Sequence, residues 1–385
     1  MKILMVSMFS AHFFNWSEQL KDSGHEIYWL DVYDSNTYVK KIGFINQIIG
    51  WRNKLNYPGR YYLKRKLSKV YNFINLFNQR KLADVFEETL LEIQPDVVHS
   101  FVMYSACVPI LGVMKKYSHI KWIYSAWGND LYYYQNIPSY LKGIKAVLPR
   151  IDYMFADCKR DFHITRKYSF KGEYLGTFPG GGGYDFSCYT KFLNPYSNRK
   201  VILIKGYQHK FGRCNNILEA ISSLKKELSA YEIVVFGTHQ SVFDFVSGSK
   251  ELQNMENLKI IGQINHNEVL KLMGESFIYI GNSISDGMPN TLLEAIIMEV
   301  FPIQSNPGGA TAEIIEHGKN GLLIEDPEDV EEIVKLILKS IDNLQLMQDG
   351  VSYNNQFIKP RFEREKVKCQ VLKKYKLIEE ELKTL

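Results

Sequence analysis

The chain has 385 residues, more than one hydrophobic core usually supports, so two α/β domains of roughly 150–190 residues are expected. Apolar residues make up 45% and charged residues 23%, an ordinary soluble composition that excludes a disordered chain. The net charge is only +5, and five scattered cysteines without a C-x-x-C pair suggest neither a disulfide framework nor a zinc site and fit a reducing cytoplasm.

In chain order, the opening MKILMVSMF is a short apolar run without a small-residue cleavage site. It reads as a buried first strand rather than a signal peptide. No segment has the ~20 uninterrupted apolar residues of a membrane span. Further strands are predicted at His25–Leu30, Asp96–Phe101, Lys121–Ser125 and Tyr153–Ala156. A second set falls at Lys200–Lys205, Glu232–Phe236, Leu258–Ile261, Phe277–Ile280 and Phe301–Gln304. Helical patterns alternate with them, for example Asn215–Leu228, Asn267–Gly274, Thr291–Met298 and Glu328–Ser340. Strand–helix alternation of this kind is the mark of parallel βαβ architecture.

Between Asp34 and Asp84 there is no acidic residue. Lys40, Lys41, Arg52, Lys54, Arg60, Lys64, Arg65, Lys66, Lys69, Arg80 and Lys81 all fall there, interleaved with Trp51, Tyr57, Tyr61, Tyr62, Tyr71 and Phe73. Such a mixture suits an anionic membrane surface, and it also suits nucleic acid or a solvated helix face. No nucleic-acid recognition motif accompanies it, and an acid-free run this long favours a surface that meets something negative.

PGGGG at 179–183 is the densest glycine in the chain and lacks the lysine and serine of a P-loop, so it reads as an interdomain loop. Domains are expected at 1–185 and 186–355, with 356–385 forming a charged amphipathic helix that packs back on the junction.

The segment from 277 to 297 carries the chemistry. A buried strand, FIYIGN, runs into SISDGMPN and then the helix TLLEAIIM. Pro289 and Asn290 are good helix-entry residues. The loop and first turn (Gly287, Met288, Asn290, Thr291, Leu292) therefore bring backbone N–H groups and a positive helix end to the carboxyl edge of a sheet, where phosphate binds. Glu294 can accept two hydrogen bonds from a ribose diol. Asp286, with seven residues between it and Glu294, can face a transferred sugar. Taken alone, the two carboxylates also fit a dipole-complementing glutamate and a turn-starting aspartate.

These residues, followed by FPIQSNPGGATAEIIEHGKNGLLI at 301–324, resemble the retaining glycosyltransferase family 4, with the GT-B fold (glycosyl transferases group 1). The resemblance runs from about Lys200 to Ile324. Two departures stand out: Asp286 replaces the first glutamate of the family's pattern, and Glu299 stands where relatives have a helix-closing glycine, so that turn is expected to be built differently.

The resemblance implies an α/β fold of two Rossmann-like domains facing across a cleft. It implies a nucleotide diphosphate sugar, UDP- or GDP-linked, as co-substrate, with no metal ion and no other cofactor. Lys205 and Arg213, with His209 and Lys210 behind them, would neutralise the donor diphosphate. Gly237, Gln263 and Ile264 would border the nucleobase. In the N-terminal half, Trp127, Asn129 and Asp130 of IYSAWGNDLY stand near the transferred sugar, and His12 and His99 are further candidates. A buried tryptophan with a turn, and a satisfied strand-end histidine, are the competing readings of those positions.

The expected activity is transfer of a sugar, with retention, to a hydroxyl of a lipid-linked or surface-glycan acceptor. The protein is expected in the cytoplasm, with peripheral contact to anionic membrane through 40–81 and no nucleic-acid partner. A nucleotide-sugar epimerase or hydrolase, or a catalytically degenerate glycan-binding relative, are the alternatives.

Overall fold

The computed structural model describes residues 1–55 and 57–384; the side chain of Tyr61, counted above among the interleaved aromatics, lies outside what is described. The chain divides into two compact units. Unit 1 comprises 1–156, 161–182 and the C-terminal stretch from Lys368; unit 2 comprises 157–160 and 183–367.

Unit 1 is built on β1 (Lys2–Ser7), β2 (Glu26–Asp31), β3 (Asn46–Ile48), β4 (Val97–Phe101), β5 (Lys121–Ala126), β6 (Tyr153–Ala156) and β7 (Glu173–Thr177). They form one parallel sheet in the order β3-β2-β1-β4-β5-β6-β7. Unit 2 is built on β8 (Val201–Lys205), β9 (Glu232–Phe236), β10 (Leu258–Ile260), β11 (Ser276–Gly281), β12 (Phe301–Ser305) and β13 (Leu322–Ile324). Its sheet is also parallel, in the order β10-β9-β8-β11-β12-β13. Both are doubly wound: the strand order reverses beside the first strand, leaving a crevice at the carboxyl ends of β1/β4 and of β8/β11.

Helices cover both faces of each sheet, so the central strands are near-continuous apolar runs. β4 and β11 are buried at every residue. In unit 1 an aromatic layer of Phe13, Trp16, Phe101 and Phe155 lies on one face, and Tyr375 of the helix Arg364–Thr384 packs on Phe155 at 5.8 Å. Fully burying each such ring contributes roughly 1.5–3 kcal/mol.

Three strands were not predicted: β3, β7 and β13. All are sheet edges of three to five residues, and the polar Asn46 and Gln47 of β3 have no alternation to read. The chain passes from unit 1 to unit 2 at 182/183, within the glycine run. Gly182 and Gly183 have φ of +74° and +85°; a Cβ on Gly182 would lie 2.8 Å from Gln19, and one on Gly183 3.0 Å from Arg364.

Glu299 corrects an expectation. It takes φ +58°, the left-handed value a glycine would adopt, so the helix Asn290–Ile297 closes through a left-handed turn without a glycine. Val300 N–H reaches Ala295 O at 2.9 Å, and the Arg199 guanidinium donates to the carbonyls of Met298 and Glu299 at 2.9 and 3.0 Å. That external cap satisfies the terminal carbonyls and holds a residue that otherwise avoids this conformation. Among the described residues no helix is long and apolar enough to cross a membrane.

Candidate functional site

The crevice of unit 2 is formed by two loops, 206–213 after β8 and 282–289 after β11. They are stitched together by backbone bonds: Arg213 N–H to Asn282 O at 3.0 Å and Ile284 N–H to Phe211 O at 2.9 Å. Gly206 sits where a Cβ would lie 2.6 Å from Thr238, so the chain turns sharply off β8 against the end of β9. Strand-end residues far apart in sequence thereby share one edge.

The helix Asn290–Ile297 begins at that edge. Its first intrahelical bonds run from Leu292 and Leu293 N–H to Pro289 O at 3.1 and 3.2 Å, so the N–H groups of Asn290 and Thr291 precede the ladder. No acidic side chain lies in the first turn. This is the arrangement that binds an anion. Asn290 also accepts the Tyr184 hydroxyl at 3.0 Å, fixing its side chain.

Glu294 has a side chain 13% exposed, with its Oε1 2.6 Å from His266 Nε2. His266 opens the helix His266–Glu275, whose start is fixed by a capping box between Asn265 and Glu268. The hydrogen bond that His266 donates to the Glu294 carboxylate raises the His266 pKa. Asp286 is half-buried; its Oδ1 accepts from Gly287 N–H at 2.9 Å, and its backbone carbonyl accepts from the Arg160 guanidinium at 2.8 Å. Arg160 also bonds Pro307 O at 2.6 Å, tying the 286–289 loop to the exit of β12. A Cβ on Gly287 would lie 2.3 Å from an Asp157 carboxylate oxygen, so any side chain there would have to displace that carboxylate. Met288 and Leu292 are buried beneath the loop and pin it to the core.

On the neighbouring loop, Lys205 ends β8 with its ammonium 4.5 Å from the Tyr207 ring centre. Tyr207 in turn stacks on His239 at 5.0 Å. His209 Nδ1 accepts from Phe211 and Gly212 N–H at 2.9 and 3.1 Å, which leaves Nε2 to carry the proton as a donor. Burial lowers the His209 pKa, as do His239, Lys205 and Arg213, while Asp286 opposes them. Arg213 is committed differently from the sequence expectation: its Nε pairs with Glu328 at 2.7 Å, and one Nη donates to the carbonyls of His209 and Gly212. It braces the loop from behind as well as adding charge. Gln263 reaches Gly237 O at 3.0 Å, which joins two of the base-edge candidates, and Ile264 packs on the core beside them.

In unit 1, His12 and Trp127 come together at the carboxyl edge of the sheet, with ring centres 6.4 Å apart. Trp127 is half-buried, resting on Phe101 at 4.9 Å, and the adjacent Asn129 has a buried Oδ1 without a hydrogen-bond partner. Two other candidates do not reach that edge. Asp130 is 3% exposed, and its carboxylate accepts Met103 N–H at 2.8 Å and the Tyr124 hydroxyl. It holds the turn at Val102, where φ is +74°, instead of offering itself to sugar hydroxyls. Burial pushes its carboxyl up to about 7. His99 is fully buried between Tyr375 OH at 2.7 Å and Ser125 Oγ at 2.8 Å, stacked on Phe101, so it is a satisfied core histidine. Its pKa is driven well down by burial.

Sequence reasoning missed His266, Tyr207, His239 and Arg160. His266 and His239 each follow a predicted strand by a few residues, a position that flags a sheet-edge side chain. Nothing in the sequence links Arg160 to a loop 126 residues away.

Residues 189–356 match the family described as Glycosyl transferases group 1. The whole chain superimposes on solved structures of low identity, which establishes the GT-B fold. HepE of Anabaena, solved in complex with UDP-glucose, is 14% identical with 100% of each chain covered and a TM-score of 0.68. Sucrose-phosphate synthase of Thermosynechococcus elongatus is 14% identical, with 98% of each chain covered and a TM-score of 0.72. The lipopolysaccharide outer core galactosyltransferase WaaB is 15% identical over 97% of this chain and 99% of its own, with a TM-score of 0.68.

Proposed function

Taking 189–356 as a domain of the glycosyl transferases group 1 family, we propose that the protein transfers a sugar, with retention, from a nucleotide diphosphate sugar to an acceptor hydroxyl. The observation that carries this reading is the pair of stitched loops in unit 2. They set the first turn of the helix Asn290–Ile297, Lys205 and His209 around one crevice, with Glu294 in the second turn.

Glu294 takes the ribose diol. The Asn290 and Thr291 N–H groups, Lys205 and the His209 Nε2–H stabilise the diphosphate as it departs with growing negative charge. Asp286 stands beside them towards the sugar, and Arg213 adds charge from behind the loop. Gly237, Gln263 and Ile264 border the base. The departing phosphate helps deprotonate the incoming hydroxyl, so no enzymic nucleophile and no metal ion is required. His12, Trp127 and Asn129 form the corresponding edge of unit 1 for sugar or acceptor, where an indole face suits a sugar ring.

The acceptor is a lipid-linked or surface glycan, in bacterial polysaccharide biosynthesis, and the protein works in the cytoplasm against the inner face of the plasma membrane. Exposed Leu67, Val70, Phe73 and Phe77, amid Lys64, Arg65 and Lys66, support that reading. HepE in complex with UDP-glucose and WaaB as a lipopolysaccharide galactosyltransferase are consistent with it.

Thermal stabilisation across a panel of UDP-, GDP- and other nucleotide sugars identifies the donor, and the anomeric configuration of the product with EDTA present tests the rest. Turnover of the donor without any acceptor points to the epimerase or hydrolase alternative. Stabilisation by no nucleotide sugar sinks the reading altogether.

A further inference from the structure

A second concave site lies wholly within unit 1. A pocket of about 490 Å³ opens where the chain leaves β2 and β3, and its lining includes Asp34, Arg52, Arg60, Lys64, Tyr71 and Asn75. That volume suits a small ligand or the head of a larger one. Carboxyl ends of parallel strands are where such sheets bind ligands.

The pocket is built, not incidental. It lies between the sheet edge and two helices, Arg60–Lys66 and Ser68–Asn78, whose base is clamped. Lys54 N–H bonds Asn78 O and Arg80 N–H bonds Arg52 O, each at 2.8 Å. The buried Asn78 amide bonds both polar atoms of the Leu55 backbone at 2.8 and 2.9 Å.

Its charge is one-sided. Three cations line it against one acid, and the acid is already engaged: Asp34 accepts the backbone N–H groups of Gly50 and Arg52. Arg52 donates one Nη to Val32 O at 3.2 Å, while its buried Nε has no acceptor. Asn75 Oδ1, also buried without a partner, is an acceptor and suits a hydroxyl of the ligand rather than its anionic oxygens. A buried guanidinium N–H without an acceptor is costly, and an anionic oxygen in the pocket would supply one.

The helix Ser68–Asn78 then says what the anion is attached to. Tyr71, Asn75 and Leu76 face the pocket. Val70, Phe73 and Phe77 follow the three-to-four spacing of a second face, where they are 47%, 64% and 68% exposed, and Phe73 packs edge-on to Phe77 at 5.6 Å. One helix thus turns polar side chains to the pocket and an apolar stripe to solvent.

We propose that this pocket binds the phosphate ester of an amphiphilic acceptor, seated by Arg52, Arg60 and Lys64, with the Val70–Phe77 stripe in the apolar phase beside it. The inference rests on the preceding functional reading only in assigning that phosphate to the acceptor. Arg fits such a ligand through its planar fork, and Lys64 adds a point charge.

The test uses the full chain and two charge-matched double variants. Arg60→Gln/Lys64→Gln removes two cations from the pocket, whereas Arg65→Gln/Lys66→Gln removes two exposed cations outside it. Binding is read with glycerol 3-phosphate by calorimetry and with phosphatidylcholine vesicles carrying phosphatidic acid by flotation. With glycerol 3-phosphate the pocket variant should lose about tenfold or more in affinity and the control should stay within about twofold; on vesicles both lose surface charge, and the pocket variant should lose clearly more. A loss seen with both probes, or with only one, supports the pocket and tells whether the phosphate is taken free or on a lipid. Equal losses in the two variants, or wild-type binding of neither probe, overturns it. Lys64→Glu, at an exposed position, repeats the test without risk to the fold. Nucleotide-sugar stabilisation is measured on the same samples: its absence with phosphate binding intact defeats the transferase reading and leaves the anion pocket standing.

Discussion

Replacing Glu294 with alanine separates its binding role from its structural one. In the fold its visible cost is small. Alanine is the best helix former, and the ion pair lost is to a His266 side chain 58% exposed, which after solvent screening contributes under about 1 kcal/mol. In the donor complex the cost is larger. Two ribose hydroxyls donating to an ionised carboxylate are worth about 1.5–3 kcal/mol each. At about 1.4 kcal/mol per factor of ten, the dissociation constant should rise by roughly a hundredfold to ten-thousandfold. The lower end is expected, because Oε1 already holds His266 and the carboxylate's lone pairs must be shared. Calorimetry with the nucleotide sugar found in the thermal screen reads the change, and a melt confirms the fold. The decisive control is the matching 2′,3′-dideoxy donor, which Glu294→Ala should bind no worse than wild type does. Equal losses for the ribose and dideoxy donors would refute the assignment, since no hydroxyl would then be speaking to that carboxylate.

Three further outcomes follow from the geometry. Gly287→Ala places a Cβ 2.3 Å from the Asp157 carboxylate and should cost about 1–3 kcal/mol in a denaturant melt, with donor affinity falling as the loop shifts. Glu299→Gly relieves a left-handed backbone worth about 1–2 kcal/mol but adds chain entropy and forfeits the Lys359 pair. Stability should therefore hold or rise by up to about 1 kcal/mol, and a clear loss would contradict that account of the turn. Asp130 has a folded pKa raised by burial from 3.8 to about 7, so the folded state holds a proton that the unfolded chain releases first. Its contribution is complete below about 4 and is lost as pH climbs through 7. Melts across that window should show the decline, and Asp130→Asn should flatten it.

The strand–loop–helix at 276–297 was legible because a fully apolar strand, a turn and a proline-led helix are each local signals. The edge strands β3, β7 and β13 were not, since pairing on one side demands too little of a three-residue sequence such as Asn46–Ile48, whereas the edge strand β10 carried an apolar run. His99 shows a second limit. Whether a strand-end imidazole faces ligand or core depends here on Tyr375, 276 residues away. Asp130 is similar, because the Met103 N–H donor it satisfies is left over by a strained turn at Val102 that no propensity announces. His266 lies 28 residues before Glu294, and only the β10–β11 crossover brings them together. The basic run was read as one surface, whereas the fold splits it into pocket-facing and outward-facing cations.

The clamp between 52–55 and 78–80 has a consequence beyond its own stability. It makes the intervening segment an interchangeable attachment, because its two ends are fastened to each other as well as to the sheet. Closure entropy grows only slowly with loop length. The segment can therefore be lengthened, shortened or re-sequenced while the parallel sheet goes on folding as before. Under the proposed function, a chimera that exchanges residues 56–77 alone is the economical way to redirect acceptor choice in the laboratory.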